Sequence, residues 1–390
     1  MIRYCFFILR RADYDPKLKM FFSEGALPTP YLAVDLDRVA KQYRRMVEAM
    51  PWAKVFYAVK ANPAAPILKT LVRAKAGFDA ASIEEVRQCL AAGCAPTDIS
   101  FGNPIKKSAS IAEAASLGIK LFVCDSDEEL QKIAQHAPGA KIYTRLGVDN
   151  EGADWPLSQK FGASAKSCAS LLCKAPDLGL IPDGVSFHVG SQQGSPAAYL
   201  DAIHQAARIF QDVAKRGIKL TMLNIGGGFP VQYRAPVPEI EQFAAEIDAA
   251  LTAAFGAARP FIMSEPGRYL VAEAGIVCSE VVLNARRELP GQEGHWLYLD
   301  IGRFGGLAET EDEAIRYDIV SLRQQAPQRP FVLAGPTCDG VDIIYQKNKV
   351  SLPSDLKEGD RVALLAAGAY VSTYSSQGFN GFAPLSEHYI

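Results

Sequence analysis

The stretch VFYAVKAN, residues 55–62, is an apolar run of strand-forming residues that ends at a lysine, Lys60. Asn62 and Pro63 then break the pattern, so Lys60 lies where the strand stops. A single lysine in this place is usually a solvated strand end, because lysine is rarely buried. Whether Lys60 has a function therefore depends on the residues at the ends of the other strands.

Eight apolar runs of this kind occur between residues 54 and 267. Amphipathic segments separate most of them, and two of these, residues 82–93 and 126–137, begin with serine followed by acidic residues, as helix N-termini do. Eight β-α units predict a TIM-type (β/α)8 barrel, and a doubly wound parallel sheet is the lesser alternative. The eight runs are KVFYAV (54–59), GFDAAS (77–82), ISFGN (99–103), LFVCD (121–125), KIYTRL (141–146), GVSFHVG (184–190), MLNIGGG (222–228) and FIMSEPG (261–267).

The sequence after Arg268 has a different character. Strand-like runs such as HWLYLDIG (295–302) and RVALLAAGAY (361–370) alternate with turn signals, and few long helical patterns occur. We therefore expect a barrel domain at residues 33–269, followed by a β-sandwich or β-barrel domain built from residues 1–32 and 270–390. A chain of 390 residues is long enough for two such cores.

The composition argues against several classes of function. The formal net charge is −2, so the chain has no basic surplus for nucleic acid or an anionic membrane. The eight cysteines form no C-x-x-C pair and the five histidines no H-E-x-x-H motif, so no metal site is predicted. The apolar core of the opening MIRYCFFILRR is too short for a signal peptide, and no run reaches the ~18 apolar residues of a membrane span. We expect a cytoplasmic protein whose opening residues form a strand or a loosely attached extension.

Active sites of (β/α)8 barrels lie at the carboxyl ends of the strands. A lysine there can bond covalently to an aldehyde, and the backbone N–H groups of the glycine-rich NIGGGFP (224–230) can approach a phosphate closely. Each residue alone also has a structural explanation, such as a helix cap or a core histidine, but together they indicate a site for pyridoxal 5′-phosphate. The strand-end residues are Lys60, Asp79, Asn103, Asp125, Arg145, His188, Gly226, Gly227, Gly228, Glu265 and Arg268.

The same residues carry a resemblance to a known family. The stretches FYAVKAN, FDAAS, SFHVGSQ, NIGGGFP, SEPGRY, AGPTCDG and GAYVSTYS resemble, in this order, the alanine-racemase-type (fold type III) pyridoxal-phosphate decarboxylases. DWPLSQKFG and FGGLAETEDEA are most similar to the bacterial ornithine decarboxylases. The resemblance implies that Lys60 holds the cofactor covalently, that His188 stacks on its ring and that Glu265 pairs with the ring nitrogen. It places the other cofactor-binding residues at Asp79, Arg145, Ser191, Gly227, Gly228, Gly267, Arg268 and Tyr370, and it places Glu85 at a family position close to the cofactor.

Glu265 indicates the type of reaction. A carboxylate beside the ring nitrogen keeps that nitrogen protonated, and the protonated ring accepts the electron pair left when the Cα–carboxylate bond breaks. Alanine racemases, by the same resemblance, have arginine at this point, so the EPGR sequence favours decarboxylation over racemisation.

The resemblance further implies a homodimer whose active sites are shared across the interface. Cys338 matches the family's proton donor, and Asp339 matches a residue that binds the distal amine of the substrate; both would reach into the partner subunit's site. Lys160 and Asp342 resemble a pair that forms a salt bridge across that interface.

A substrate with a second amino group needs a carboxylate to meet it, and the acidic run LAETEDEAIRYD (307–318) offers several. We expect Asp312 to be that group, with Glu313 as the alternative. The expected reaction converts L-ornithine to putrescine and carbon dioxide, for polyamine biosynthesis. The alternatives are a lysine or dual-specificity decarboxylase, then a diaminopimelate decarboxylase, whose substrate carries a second carboxylate that the acidic run would repel, and then a non-catalytic homologue.

Overall fold

The protein is described by a computed structural model covering residues 27–155, 160–288, 290–321 and 326–390. It divides into two compact units. One is Val39–Val271, and the other combines Ala272–Ile390 with the described residues up to Arg38. The expectation for the opening residues, and residues 156–159 of the DWPLSQKFG stretch, lie outside the described residues.

The elements are numbered in chain order. The strands are β1 (Tyr31–Val34), β2 (Ala53–Ala58), β3 (Gly77–Ala80), β4 (Ile99–Phe101), β5 (Leu121–Cys124), β6 (Lys141–Leu146), β7 (Ala153–Trp155), β8 (Ile181–Phe187), β9 (Ser191–Gln193), β10 (Met222–Asn224), β11 (Phe261–Ser264), β12 (Gly275–Arg287), β13 (Gly294–Leu299), β14 (Ile319–Ser321), β15 (Gln328–Ala334), β16 (Ile343–Pro353), β17 (Arg361–Leu364) and β18 (Ser386–Tyr389). The α-helices are α1 (Leu36–Ala49), α2 (Ala65–Arg73), α3 (Ile83–Ala91), α4 (Ser108–Ser116), α5 (Asp127–His136), α6 (Ala165–Lys174), α7 (Ala197–Ala214), α8 (Ile240–Phe255) and α9 (Arg268–Val271).

Eight parallel strands close into a barrel in the first unit, in the order β10-β11-β2-β3-β4-β5-β6-β8. Each overlaps one of the eight apolar runs, so the prediction of a (β/α)8 barrel is confirmed and the doubly wound alternative is wrong. The barrel interior is packed with side chains from several strands. Its buried cluster consists of Phe56, Val123, Tyr143, Met222 and Met263.

Serine caps start two of the helices that surround the barrel. Ser82 Oγ accepts a hydrogen bond from the backbone N–H of Glu85 at 3.2 Å, and Ser126 Oγ accepts one from Glu129 N–H at 3.3 Å. Each satisfies one of the unpaired N–H groups of a helix start, which is typically worth about 1 kcal/mol. The serine-acid starts of α3 and α5 are therefore confirmed as helix N-termini.

The second unit contains an eight-stranded, mostly antiparallel sheet whose main path is β14-β17-β12-β13-β15-β16, as expected for a β domain. Strand β1 joins it from early in the chain, since it pairs antiparallel with β12 and parallel with β18. Tyr31, Ala33, Ile276 and Cys278 bury one face of this pairing. No helix in the described part of the chain combines the length and apolar character that crossing a bilayer requires.

Candidate active site

The carboxyl ends of the barrel strands gather polar and charged side chains. Lys60 is exposed in the short 3-10 turn Val59–Ala61 that follows β2, and Asp79 is buried at the end of β3. The positive charges of Lys60 and Arg145 act on the same three groups, in each of which burial has the largest effect on the pKa. These groups are Asp79, His188 and Glu265. The structure thus brings five of the predicted site residues into one electrostatic environment.

Asp79 is a buried acid with an unusual surrounding. Its side-chain Oδ1 has no hydrogen-bond partner among the described residues, and it lies so close to Gly102 that a Cβ there would come within 1.8 Å. Burial raises the pKa of Asp79 to about 6, against the opposite effect of Lys60 and Arg145. A buried acid oxygen without a partner is costly, so this position is suited to a ligand that supplies one.

Glu265, which follows β11, is held by a side chain that the sequence did not single out. Asn224, fully buried at the end of β10, donates from Nδ2 to Glu265 Oε1 at 2.5 Å. Asn224 Oδ1 in turn accepts the N–H of Gly226 at 2.9 Å. Burial raises the pKa of Glu265 to about 8, and the nearby Asp79 adds to this. A cationic partner, as a protonated ring nitrogen would be, would stabilise the charged form of both acids and lower their pKa values.

The pKa values of these acids predict how stability depends on pH in the protein without cofactor. In the unfolded chain Asp79 and Glu265 ionise near 3.8 and 4.5, and in the folded protein near 6 and 8. Between its unfolded and its folded pKa, each acid binds more protons in the folded protein than in the unfolded chain. The free energy of unfolding therefore falls as pH rises through this range. One proton contributes at most about 1.4 kcal/mol per pH unit.

Thermal unfolding of the apoprotein between about pH 5 and pH 9 tests this expectation. The variant Glu265→Gln cannot ionise at this position, so its melting temperature should fall less with rising pH than that of the wild type. Glu128→Gln, an exposed position on α5, is the matched control and should keep the wild-type slope. Equal slopes for Glu265→Gln and the wild type would contradict the raised pKa.

His188 follows β8 as a neutral imidazole. Its Nδ1 accepts a hydrogen bond from the N–H of Gly190 at 3.1 Å, so the ring proton is on Nε2. Burial lowers the pKa of His188 well below its usual value, and the charges of Lys60 and Arg145 lower it further. A neutral ring fixed in this way can stack on a flat aromatic ligand.

The three consecutive glycines pack tightly against the backbone around them. Gly226 and Gly228 have φ values of +69° and +104°, which other residues rarely adopt. A Cβ on Gly226, Gly227 or Gly228 would come within 2.3 Å of a backbone carbonyl oxygen. No described residue accepts a hydrogen bond from the N–H of Gly227 or Gly228, so both donors can meet an anion.

A buried arginine completes this anion site. Arg268, which begins α9, is 4 % exposed and donates from Nε and Nη2 to Ser191 Oγ, both at 3.2 Å. We call Ser191, the glycines 226–228 and Arg268 the phosphate cradle. Its donors suit the phosphate of the predicted cofactor. Gly267 precedes Arg268 in the same turn.

Backbone hydrogen bonds hold the glycines of the cradle in place. Glu265 N–H bonds the carbonyl of Gly226 at 2.7 Å, and Gln193 N–H bonds that of Gly228 at 2.9 Å. The loop is therefore tied on one side to the residue after β11 and on the other to β9. These bonds fix the direction in which the N–H groups of Gly227 and Gly228 point.

Other predicted site residues belong to the second unit. Cys338 is exposed, and Asn380 Oδ1 accepts hydrogen bonds from its backbone N–H at 3.0 Å and from its Sγ at 3.3 Å. Asp339 Oδ1 accepts the N–H of Val341 at 3.0 Å. Tyr370, beyond β17, has a left-handed φ of 60°. Their roles toward cofactor and substrate stay predictions.

The two acids predicted for the substrate's distal amine differ in their environments. Glu313 accepts hydrogen bonds from the N–H groups of Gln346, Lys347 and Asn348 and from Asn348 Nδ2, at 2.6 to 2.8 Å. Burial alone would raise the pKa of Glu313, but these hydrogen bonds lower it overall. Asp312 is exposed and has a left-handed φ of 50°. Glu313 therefore ties β16 to the acidic segment, whereas Asp312 is open to solvent.

The predicted interface pair also divides between the units. Lys160 is exposed in the barrel unit, with its Nζ 5.0 Å from the centre of the Phe161 ring. Asp342 is 3 % exposed and accepts hydrogen bonds from Arg303 N–H at 2.8 Å and Thr337 Oγ1 at 2.7 Å. Asp342 thus holds two loops of its own subunit together. Its pairing with Lys160 of a second copy stays a prediction.

Sequence reasoning missed Asn224 and Asn380, although each holds a predicted site residue. Asn224 lies in the NIGGGFP motif, in which only the glycines were predicted to have a function. Its place two residues before the first Gly of a strand-end loop was a usable signal, because asparagine often bonds the backbone two residues on. Asn380 is 42 residues from its partner Cys338, and no local pattern connects them.

Comparison with known proteins identifies the family. The model of the pyridoxal binding domain of pyridoxal-dependent decarboxylases matches residues 36–272, more than half of the chain. The chain belongs to this family. Its cofactor is pyridoxal 5′-phosphate, as the strand-end residues predicted. The orphaned oxygen of Asp79 and the phosphate cradle show that the residues present fit this group.

Named relatives of this decarboxylase cover nearly the whole chain. The ornithine decarboxylase of Schizosaccharomyces pombe is 35% identical over 370 residues, 92% of this chain and 83% of the relative. Antizyme inhibitor 2 of Xenopus laevis is 34% identical over 371 residues, 92% of this chain and 80% of the relative. The crystal structure of lysine/ornithine decarboxylase from Vibrio vulnificus complexed with putrescine superposes with a TM-score of 0.85 at 32% identity, covering 95% of this chain and 97% of that one.

Proposed function

We propose that this pyridoxal-dependent decarboxylase converts L-ornithine to putrescine and carbon dioxide. The observation that carries the proposal is the half-buried Glu265, fixed by Asn224 at the mouth of the barrel that carries Lys60. The cofactor supplies an electron-accepting ring, which draws the electron pair from the Cα–carboxylate bond as that bond breaks. A negatively charged carboxylate at this position, rather than a positively charged side chain, keeps the ring nitrogen protonated and strengthens that pull.

The other site residues bind, orient and move protons. Lys60 Nζ would hold the cofactor by a covalent bond to its aldehyde carbon, whose oxygen would leave as water. The neutral ring of His188 would stack on the cofactor, and Arg268, Ser191 and the glycine N–H groups would bind its phosphate. Once carbon dioxide has left, Cys338 Sγ–H donates its proton to Cα, and the thiolate regains a proton from solvent.

The exposed Asp312 and the relatives' names together support a diamino acid as substrate. A solvent-facing carboxylate can pair with a distal ammonium, whereas that of Glu313 already accepts four hydrogen bonds. One relative is an ornithine decarboxylase, and the matching crystal structure of a lysine/ornithine enzyme holds putrescine, the diamine that ornithine would yield. Lysine is longer by one methylene, which a pocket discriminates by about 1–3 kcal/mol.

A substrate panel tests the proposal. Carbon dioxide release and amine production should be highest with L-ornithine, lower with L-lysine, and negligible with arginine and diaminopimelate. Higher kcat/KM on lysine would transfer the assignment to the dual-specificity alternative, and no carbon dioxide from any of the four would refute decarboxylase activity on this class.

The role of Asp312 has its own expected result. Asp312→Asn removes the negative charge and should raise KM for ornithine about 10-fold or more, with a smaller change in kcat, because the distal ammonium loses its partner. Glu311→Gln is the matched control at the neighbouring exposed acid and should keep the wild-type KM. An unchanged KM in Asp312→Asn would move the assignment to Asp339.

The second candidate function is that of a non-catalytic binding protein, because one relative of similar identity is named antizyme inhibitor 2. This chain has Lys60, His188, the phosphate cradle, Glu265 and Cys338, which a pure binding protein would not need. Visible absorption after addition of pyridoxal phosphate, together with turnover, would separate the two.

We also propose that the enzyme is a homodimer. Cys338 and Asp339 would act in the partner subunit's site, so activity would depend on protein concentration near the dissociation constant of the dimer. Sedimentation alongside an activity titration measures both quantities.

A further inference from the structure

Tyr233 lies five residues beyond Gly228 and outside every stretch that resembles the family. It is 5 % exposed, and its hydroxyl accepts a hydrogen bond from Arg268 Nη1 at 3.0 Å. The same guanidinium donates from Nε and Nη2 to Ser191 Oγ. Ser191 and Tyr233 therefore hold the guanidinium of Arg268 at two different edges.

Strand β9 explains how Tyr233 comes to lie beside Arg268. The side chain of Gln192 makes two hydrogen bonds with Val231: Nε2 donates to the carbonyl at 2.5 Å, and Oε1 accepts the N–H at 2.9 Å. Gln193 N–H bonds the carbonyl of Gly228 at 2.9 Å. The loop that leads from the glycines to Tyr233 is thus fixed at two points by the strand that also carries Ser191.

We infer that Tyr233 is a positioning residue for the cofactor phosphate, which it serves by orienting Arg268. A guanidinium held at two edges keeps one orientation, which suits recognition of a dianionic phosphate group. A tyrosine hydroxyl that accepts from arginine also offsets part of the desolvation of this buried cation. This role of Tyr233 rests on the proposed binding of the phosphate by the phosphate cradle.

The test compares cofactors with and without a phosphate. Binding of pyridoxal 5′-phosphate and of pyridoxal to the apoprotein is measured by absorbance titration, and inorganic phosphate is used as a competitor. Tyr233→Phe should raise the dissociation constant of pyridoxal 5′-phosphate about 10- to 100-fold, because it removes a hydrogen bond to a charged group. It should leave that of pyridoxal unchanged, and inorganic phosphate should compete less well.

Two further variants keep the test decisive. Gln192→Ala releases the loop that carries Tyr233 and should weaken binding of the phosphorylated cofactor alone. Tyr345→Phe removes another buried, hydrogen-bonded tyrosine hydroxyl, in the other unit, and should change neither dissociation constant. Circular dichroism melts confirm that each variant is folded.

The possible outcomes distinguish the role of Tyr233 from the decarboxylase function. An equal loss for both cofactors, or no loss for either, would overturn the role of Tyr233 while leaving the decarboxylase assignment intact. Failure of the wild-type protein to bind either cofactor would overturn both.

Discussion

Replacing Lys60 with alanine should abolish the visible absorption of the protein with pyridoxal phosphate and lower kcat by about 10³-fold or more. Lys60 lies just beyond β2, where its charge acts on the carboxyl groups of Asp79 and Glu85 and on the imidazole of His188. Without its amine the cofactor loses its covalent attachment, and only the non-covalent contacts to its phosphate and ring remain. Absorbance spectra and single-turnover carbon dioxide release measure the two effects.

The control for this variant is Lys120→Ala, an exposed lysine just before β5. It removes a positive charge and a long side chain without touching the mouth of the barrel, so it should keep wild-type absorption and turnover. If Lys60→Ala also kept both, the lysine would be the solvated strand end that its sequence position first suggests.

Replacing Cys338 with alanine should lower kcat by about 10²- to 10⁴-fold, the usual effect of losing a positioned proton donor. Cofactor binding should be unchanged, because the proposed role of Cys338 is proton transfer to the substrate and not contact with the cofactor. Stopped-flow kinetics with ornithine and a cofactor titration measure the two quantities. Cys173→Ala, a half-buried thiol on α6, is the matched control. Wild-type turnover in Cys338→Ala would refute the proton-donor role.

Asn380 offers a graded version of the same experiment. Its Oδ1 accepts from both the N–H and the Sγ of Cys338, so Asn380→Ala leaves the thiol in place but no longer held. A fall in kcat of about 10-fold is expected, together with faster alkylation of Cys338 by iodoacetamide. An unaltered alkylation rate with reduced kcat would show that Asn380 acts by another route.

The sequence was sufficient for the barrel because its signals are local. Each barrel strand is a short apolar run, and nearly every run has a polar, charged or glycine residue at or beside its end, as Lys60 and His188 show. Serine caps such as Ser82 mark helix starts for the same reason: the capping bond joins residues three apart. Features of this kind can be predicted from neighbouring residues in the sequence, without knowing which strands pair.

The remaining features depend on contacts between distant segments. The acidic run 307–318 could not show that Glu313 is bound by residues 346–348, because that contact exists only once β16 is in place. The inferred role of Tyr233 likewise depends on its hydrogen bond with Arg268, which is 35 residues further along the chain. The roles of such residues can be recognised only from the folded structure, in which the distant segments are in contact.

The close packing of residues 226–228 has a consequence for mutational scanning. Any side chain there would collide with a carbonyl oxygen, whether or not a cofactor is bound. Variants at these three positions should therefore score poorly for cellular abundance as well as for enzyme output, whereas variants of Lys60 should lose output alone. A survey that ranks positions by growth phenotype would place the two groups together, and only a parallel protein-level measurement would tell them apart.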